Sequence, residues 1–296
     1  MRISSSQRYD EMRYYLQVAD ARLFRLQQQL ASGKKIQQPS DDPLSAVGLL
    51  TFQEAQKLSE QHLSNARNAL GRFALIEDAL GQIAGVFQKA RTVALQGAND
   101  ALEEAGRDAL VQEIQHLQES LLESANTRDG EGRFLFSGLQ VNTEPFVLNS
   151  NPPPALSYQG DDGQNYIEVG SDFSLPGNMV IAQEVVGAYE VLEELKTSLS
   201  NGETEVISEV VLPKIDDSLR QFNALRGTAG QLMSQFQTAS DISQRRVDLF
   251  AEELSKRGDA DYAETVVEFQ TAQLAYQAAL AALSAGMRVS LLDFLQ

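Results

Sequence analysis

The chain has 296 residues, of which 43% are hydrophobic and 22% charged. This is enough for about two or three cores and unlike a disordered composition. The net charge of −17 makes binding to nucleic acid through its phosphates electrostatically unfavourable, and the absence of cysteine excludes disulfides, thiolate nucleophiles and cysteine-based zinc sites.

The balance of residue types indicates a mainly helical protein. Aromatic residues make up only 7% of the chain and tryptophan is absent, whereas alanine, glutamine, leucine and glutamate are abundant. We therefore expect a mainly α fold in which long helices form an elongated rod. No apolar stretch approaches the length of a membrane-spanning helix, and residues 1–8 lack the apolar region of a signal peptide. We expect neither membrane insertion nor a cleaved signal.

Apolar residues at the front of the chain recur at alternating steps of three and four, the heptad pattern of a helix that packs against another helix. They are Tyr9, Met12, Leu16, Ala19, Leu23, Leu26 and Leu30. Gly33 is expected just past the end of this helix, because glycine is the usual residue at that position. Asp42 and Pro43 then predict a second helix, with the aspartate as its cap and the proline at its first position.

Two long helices are predicted before the middle of the chain. The second helix presents one apolar stripe, formed by Ala66, Ala69, Phe73, Ile76, Leu80, Ile83, Phe87, Ala90 and Ala94. Asn99 and Asp100 are expected to end it and to cap a third helix. The stripe of this third helix comprises Leu110, Ile114, Leu117, Leu121 and Ala125.

The composition changes at Gly130, after which glycine, proline, asparagine and aspartate become frequent up to about residue 181. Short alternating runs at 156–158 and 166–169 flank Asp162 and Gly163, a combination that predicts a β-hairpin within a small β domain. The prolines at 152–154 are expected in a loop or at a sheet edge, because proline has no backbone N–H to donate.

Helical periodicity resumes after Ala188 and continues to a break at residues 256–259, with Pro213 expected near a helix start. A final helix then repeats the heptad pattern of the front. Its apolar seam is Tyr262, Val266, Phe269, Gln273, Tyr276, Leu280, Leu283 and Met287.

The order of helices, β insertion and helices predicts three parts. Segments 1–42 and 258–296 are expected to pair as a terminal α-helical coiled coil. Segments 43–133 and 186–257 are expected to form a helical rod, and residues 134–185 an outward β-rich domain.

Charge favours pairing of the two ends with each other. Residues 1–35 contain seven Lys or Arg against three Asp or Glu, a charge of +4, and residues 247–296 contain three against eight, a charge of −5. Opposite charge on two heptad segments favours pairing of one with the other over pairing of like with like. An ordinary intramolecular helix pair and contacts between neighbouring copies are both compatible with these seams.

No residue pattern indicates catalysis. His62 and His116 lie apart on helical stretches, without a second histidine at ligand spacing. Ser137 lacks the glycine two positions earlier that a nucleophile elbow needs, and the acidic pairs fit turns or caps rather than a calcium loop. We therefore expect a protein that is not an enzyme and that has no catalytic residues, metal site or cofactor.

Three separated motifs resemble the bacterial flagellin superfamily. The run at 27–43, with the sequence QQQLASGKKIQQPSDDP, is similar to its amino-terminal signature, and residues 269–295 are similar to its carboxyl-terminal half. The run at 125–138, ANTRDGEGRFLFSG, resembles the hook-filament junction family, the third hook-associated proteins, more than flagellin. Residues 158–163 agree with that resemblance.

The resemblance implies a structural adaptor of the bacterial flagellum that joins the hook, through the first hook-associated protein, to the flagellin filament. It also implies export through the flagellar type III apparatus to the outside of the cell and assembly there as a ring. The expected partners are the first hook-associated protein, flagellin, neighbouring copies of the chain and a flagellar export chaperone.

The same resemblance implies that the terminal segments pack around an export channel and form the assembly interface. The residues expected in that interface are Tyr9, Met12, Leu16, Leu23, Leu26, Leu30, Val266, Phe269, Tyr276, Leu280, Leu283, Met287 and Phe294. Two alternatives are kept: a flagellin filament subunit, against which the short outer domain and the run at 133–138 argue, and a cytosolic coiled-coil scaffold.

Overall fold

The structure is a computed structural model that describes residues 5–99, 102–149 and 155–294, with their side chains except those at 5, 6, 8, 9 and 285–294. Its helices are α1 (Ser5–Ser32), α2 (Pro43–Gly97), α3 (Glu104–Ala125), α4 (Ala182–Asn201), α5 (Thr204–Val206), α6 (Leu212–Gly258) and α7 (Tyr262–Phe294). Its strands are β1 (Phe146–Leu148), β2 (Leu156–Tyr158), β3 (Tyr166–Gly170) and β4 (Phe173–Pro176). The prediction of a mainly α fold with a small β insertion in the middle is confirmed.

These elements belong to two compact units. The terminal unit contains the described residues up to Leu58 and from Arg246 onward, and the central unit runs from Ser59 to Arg245. The finer division into three parts stays a prediction.

In the terminal unit, α1 and α7 pack along each other and run antiparallel, which confirms the expected pairing of the two ends. Their direction follows from two ion pairs: Arg22 lies 3.7 Å from Glu268, and Lys34 Nζ lies 2.5 Å from the Asp259 carboxylate. Gly33 ends α1 with a φ of +70°, a conformation that favours glycine. Its carbonyl accepts a hydrogen bond from the backbone N–H of Ala260 at 2.9 Å, which ties the two segments together.

The start of α2 is capped as the sequence predicts. The Asp42 carboxylate accepts hydrogen bonds from the backbone N–H of Ser45 at 3.1 Å and from its hydroxyl at 2.6 Å. These bonds from Ser45 lower the pKa of Asp42. Further along α2, the Phe52 ring lies 6.1 Å from that of Phe250 and under the guanidinium of Arg257.

The core of the central unit is built on the predicted stripe of α2, every member of which is buried. Helix α6 packs against it antiparallel through two aromatic pairs. The ring centroids of Phe73 and Phe236 are 5.5 Å apart, and those of Phe87 and Phe222 are 5.6 Å apart. All four side chains are wholly buried, so these contacts remove large apolar surfaces from water.

Helices α3 and α4 complete this core. On α3, Ile114, Leu117, Leu121 and Ala125 are buried as predicted, while Leu110 is half-buried. Helix α4 begins at Ala182, earlier than the sequence indicated, and it buries Val185, Leu192, Leu195 and Leu199. The segment after α3 also enters the core, because Phe134, Leu135 and Phe136 are all at most 2% exposed.

The predicted pairing of the β segments is wrong. Strand β2 pairs with β1, with Phe146 opposite Tyr158, and β3 pairs with β4, with Ile167 opposite Leu175, so β2 and β3 do not form one hairpin. The prolines at 152–154 lie outside the described residues.

A side-chain contact explains why the segment between β2 and β3 is not a simple turn. One Asp161 carboxylate oxygen accepts hydrogen bonds from the backbone N–H groups of Leu139, at 2.7 Å, and Gly163, at 3.0 Å. The Tyr158 hydroxyl also lies 3.0 Å from the carbonyl oxygen of Phe136. The segment is thereby anchored to residues 136–139, which the local pattern of the sequence does not reveal.

The helical stretch that contains Pro213 begins earlier than the sequence indicated. Helix α5 and a π-helical turn at Ile207–Val211 precede α6, so Pro213 follows nine residues of helical conformation. Proline lacks the backbone N–H that would bond to the carbonyl four residues earlier, at Glu209, and Glu209 lies within the π turn.

Candidate assembly surface on the terminal helices

The inner face of α1, which packs on α7, is the seam that the sequence predicts. Leu26 is only 5% exposed, and Leu16, Leu23 and Leu30 are half-buried. Met12 is 38% exposed. The side chain of Tyr9 lies outside the described part of the structure.

The inner face of α7 differs from the predicted seam at its start, where Tyr262 is 69% exposed, and in its middle. Val266, Phe269, Tyr276 and Leu283 are half-buried as expected. Ala272, at 7% exposure, takes the place predicted for Gln273, which is exposed. Ala279 is half-buried where the sequence placed Leu280, which is 41% exposed. Met287 and Phe294 fall among the side chains that the structure does not describe.

Opposite charges meet along this helix pair. Besides Arg22 and Glu268, the contact joins Lys34 to Asp259, which also accepts a hydrogen bond from the Ser255 hydroxyl at 2.7 Å. The hydrogen bond from Lys34 is the main cause of a lowered pKa for Asp259. The basic front and the acidic end of the chain thus complement each other within one molecule.

Both terminal helices carry a second apolar face that sequence reasoning missed. On α1, Tyr14 is 62% exposed, Val18 49% and Phe24 60%; on α7, Val267 is 63% and Leu274 67% exposed. These residues lie between about a third and half of a turn away from the inner seams, so the contact between α1 and α7 leaves them uncovered on both helices. The spacing of four residues between Tyr14 and Val18 is the sequence signal for this face, which a single heptad stripe on each helix leaves out.

More apolar surface is exposed near the start of α2. Leu44, Val47 and Leu50 are 88%, 64% and 55% exposed, and Leu249 on α6 is 53% exposed. Large apolar side chains exposed together mark surfaces that bind other proteins. The terminal unit is therefore suited to burying apolar area against further helices.

Neither histidine is part of a catalytic arrangement in the described residues. His62 is buried in the central unit, where its Nε2 lies 3.6 Å from the Glu168 carboxylate. His116 is exposed beside Glu119. Within the described ranges no group of three or more His, Asp or Glu side chains is placed to hold a metal ion. Nor does any helix in those ranges have the length and apolarity needed to cross a membrane.

Comparison with known families matches both ends of the chain. The family model for the bacterial flagellin N-terminal helical region matches residues 3–141, and that for the C-terminal helical region matches residues 212–295. Residues 142–211 lie between the two matches, and this segment contains the four strands that the structure describes.

The chain has curated relatives that are named either as hook-associated proteins or as flagellins. The chain is 23% identical to flagellar hook-associated protein 3 of Escherichia coli, over 94% of each chain. It is 29% identical to the protein of that name in Salmonella typhimurium, over 49% of this chain and 46% of the relative. It is also 26% identical to flagellin A of Vibrio anguillarum, over 83% of this chain and 63% of that flagellin.

Solved structures share the fold. The hook-associated protein 3 of Legionella pneumophila superposes with a TM-score of 0.64 at 16% identity, covering 70% of this chain and 98% of that one. FlgL of Bacillus cereus superposes with a TM-score of 0.60 at 17% identity, covering 69% of this chain and 99% of that one. With flagellin models matched at both ends and this fold between them, the chain belongs to the bacterial flagellin family.

Proposed function

We propose that this protein is a structural adaptor at the junction between the flagellar hook and the filament, and that it is not an enzyme. The observation that carries the proposal is the similarity to hook-associated protein 3 of Escherichia coli, which spans 94% of both chains. A second Legionella pneumophila neighbour, described as the flagellar junction protein FlgL, shares the fold with a TM-score of 0.56.

In this role the terminal helices hold neighbouring copies together. The predicted interface residues that are half-buried or buried between α1 and α7, such as Leu23, Leu26 and Phe269, keep the pair intact. The exposed residues Tyr14 and Leu274 offer apolar surface to adjacent subunits. The copies form a ring, with segments 1–42 and 258–296 as its inner part, the helical rod next and residues 134–185 facing outward.

The ring lies between the first hook-associated protein and flagellin. The subunit reaches this extracellular position through the flagellar type III apparatus. Before export, a flagellar chaperone covers the carboxyl-terminal seam, because an exposed apolar face such as that of Val267 and Leu274 favours aggregation.

A flagellin filament subunit is the second candidate, and the match to flagellin A of Vibrio anguillarum supports it. The alignment covers 63% of that flagellin, whereas it covers 94% of hook-associated protein 3 of Escherichia coli. The nearly full coverage of the hook-associated relative favours the junction over the filament.

Immunogold labelling of sectioned cells and of flagella isolated from them tests the proposal. An antibody against the central unit is expected to mark one narrow band between hook and filament. Label along the whole filament would instead support the flagellin function. Label confined to the cytosol would support a coiled-coil scaffold and contradict both flagellar functions.

A further inference from the structure

The outer face of α1 combines apolar and basic side chains. It is formed by Tyr14, Val18, Ala21, Arg25 and Gln28, which recur at steps of three and four on the side away from Leu26. All five are exposed, and Arg25 has no ion-pair partner among the residues that the structure describes. This face is therefore an apolar strip that ends in a cation available to a neighbour.

The outer face of α7 has the complementary composition. It begins with Glu264 and continues through Val267, Thr271 and Leu274, all of them exposed and on the side away from Ala272. The Glu264 carboxylate makes no ion pair within the described ranges. Here an apolar strip begins with an anion available to a neighbour.

From these two faces we infer that the outer face of α1 in one copy packs antiparallel on the outer face of α7 in a second copy, with Arg25 opposite Glu264. Both helices rise by the same distance per residue, so in this antiparallel register Val267 lies beside Ala21 and Leu274 lies beside Tyr14. A parallel packing that matched the apolar residues would leave both charges without partners. The inference rests on the proposed assembly function and names its contact.

Charge also argues against pairing of like faces. Residues 1–35 carry a charge of +4 and residues 247–296 carry −5, so two α1 faces or two α7 faces would repel. A contact between different faces leaves one α1 face and one α7 face free in every pair. Such heterologous contacts produce rings or helical arrays rather than closed dimers.

Disulfide crosslinking tests the contact directly, because the chain has no cysteine of its own. A single exposed ion pair contributes too little to decide assembly, so proximity is a better measure than affinity. Full-length Arg25→Cys and Glu264→Cys chains, one with a longer tag, are mixed at high concentration and oxidised. We expect the mixed dimer to exceed both same-variant dimers. Replacing the Arg25→Cys chain by a Lys57→Cys chain, substituted at an exposed position on α2, is expected to abolish that excess.

A second variant tests the apolar part of the contact. Leu274→Ala, introduced into the Glu264→Cys chain, is expected to lower the yield of the mixed dimer severalfold, whereas Leu95→Ala, at an exposed leucine on α2, leaves it unchanged. The inference is overturned if same-variant dimers dominate, if no disulfide forms, or if the Arg25→Cys chain couples to another flagellar protein in preference to the Glu264→Cys chain. Immunogold labelling distinguishes failure of this inference from failure of the proposed function. A labelled band at the junction without the disulfide would contradict the contact alone. The disulfide without a labelled band would contradict the junction function alone.

Discussion

Phe87 on α2 and Phe222 on α6 stack with their ring centroids 5.6 Å apart, and neither side chain is exposed to solvent. The pair joins segments that are far apart in the sequence. It therefore fixes the register of the two long helices in the central unit, together with Phe73 and Phe236.

Phe222→Ala is expected to destabilise the central unit by about 3–5 kcal/mol, since it removes a buried aromatic ring and leaves a cavity. Chemical denaturation followed by circular dichroism measures the loss. Phe173→Ala on β4 is the matched control, because that ring is 53% exposed, and its change should stay within about 0.5 kcal/mol. Equal losses for the two variants would contradict the packing described for α2 and α6.

The sequence predicted the α2 stripe fully because a buried helical face shows its period directly in the order of residues. It failed between β2 and β3 because the Asp161 side chain determines the path there, through hydrogen bonds to Leu139 that only the folded chain brings together. On α7 alanines occur on several faces, so the apolar pattern alone did not distinguish Ala272 from a seam through Gln273. The outer face around Tyr14 was missed because exposure depends on which stripe the partner helix covers.

Tyr158 should stabilise the β domain in a pH-dependent way. Burial, with the nearby carboxylates of Asp162 and Asp161, raises the pKa of its phenol to about 12 from 10.0. In the unfolded chain the phenol ionises near its ordinary value, so its contribution is complete below pH 10.0 and is lost as pH rises through about 12.

Tyr158→Phe is the variant that isolates this effect. Its unfolding free energy is expected to be lower than that of the natural chain by about 1 kcal/mol at neutral pH, because phenylalanine lacks the hydroxyl that donates to the carbonyl oxygens of Phe136 and Asp161. The difference should shrink as pH rises from 10.0 towards about 12. A difference in unfolding free energy that grows over this pH range would contradict a raised pKa for the Tyr158 phenol.

The ion pair between Lys34 and Asp259 should stabilise the terminal unit modestly, by less than about 1 kcal/mol, because both groups are exposed. Asp259 has a lowered pKa, so this contribution is present above the ordinary carboxyl pKa of 3.8 and is lost as pH falls below it. A double-mutant cycle with Lys34→Met and Asp259→Asn at neutral pH and again below the ordinary carboxyl pKa measures the coupling. Coupling that is stronger at the acidic pH would contradict the assignment.

Residues 9–30 of α1 should be weakly protected from hydrogen exchange in the monomer and strongly protected in the assembly. The reason is that α1 is not rich in alanine and leaves Tyr14 and Val18 uncovered in the single chain, so much of its stability must come from neighbours. Residues 73–87 of α2, buried in the central core, provide the internal reference. Protection of α1 in the free monomer equal to that of this reference would contradict the prediction.

Deletion of the gene, followed by electron microscopy of the cells, tests the junction function most directly. We expect hooks without filaments and flagellin released into the medium, with both defects reversed when the natural gene is returned on a plasmid. Filaments that remain attached to hooks in the deletion strain would contradict the junction function.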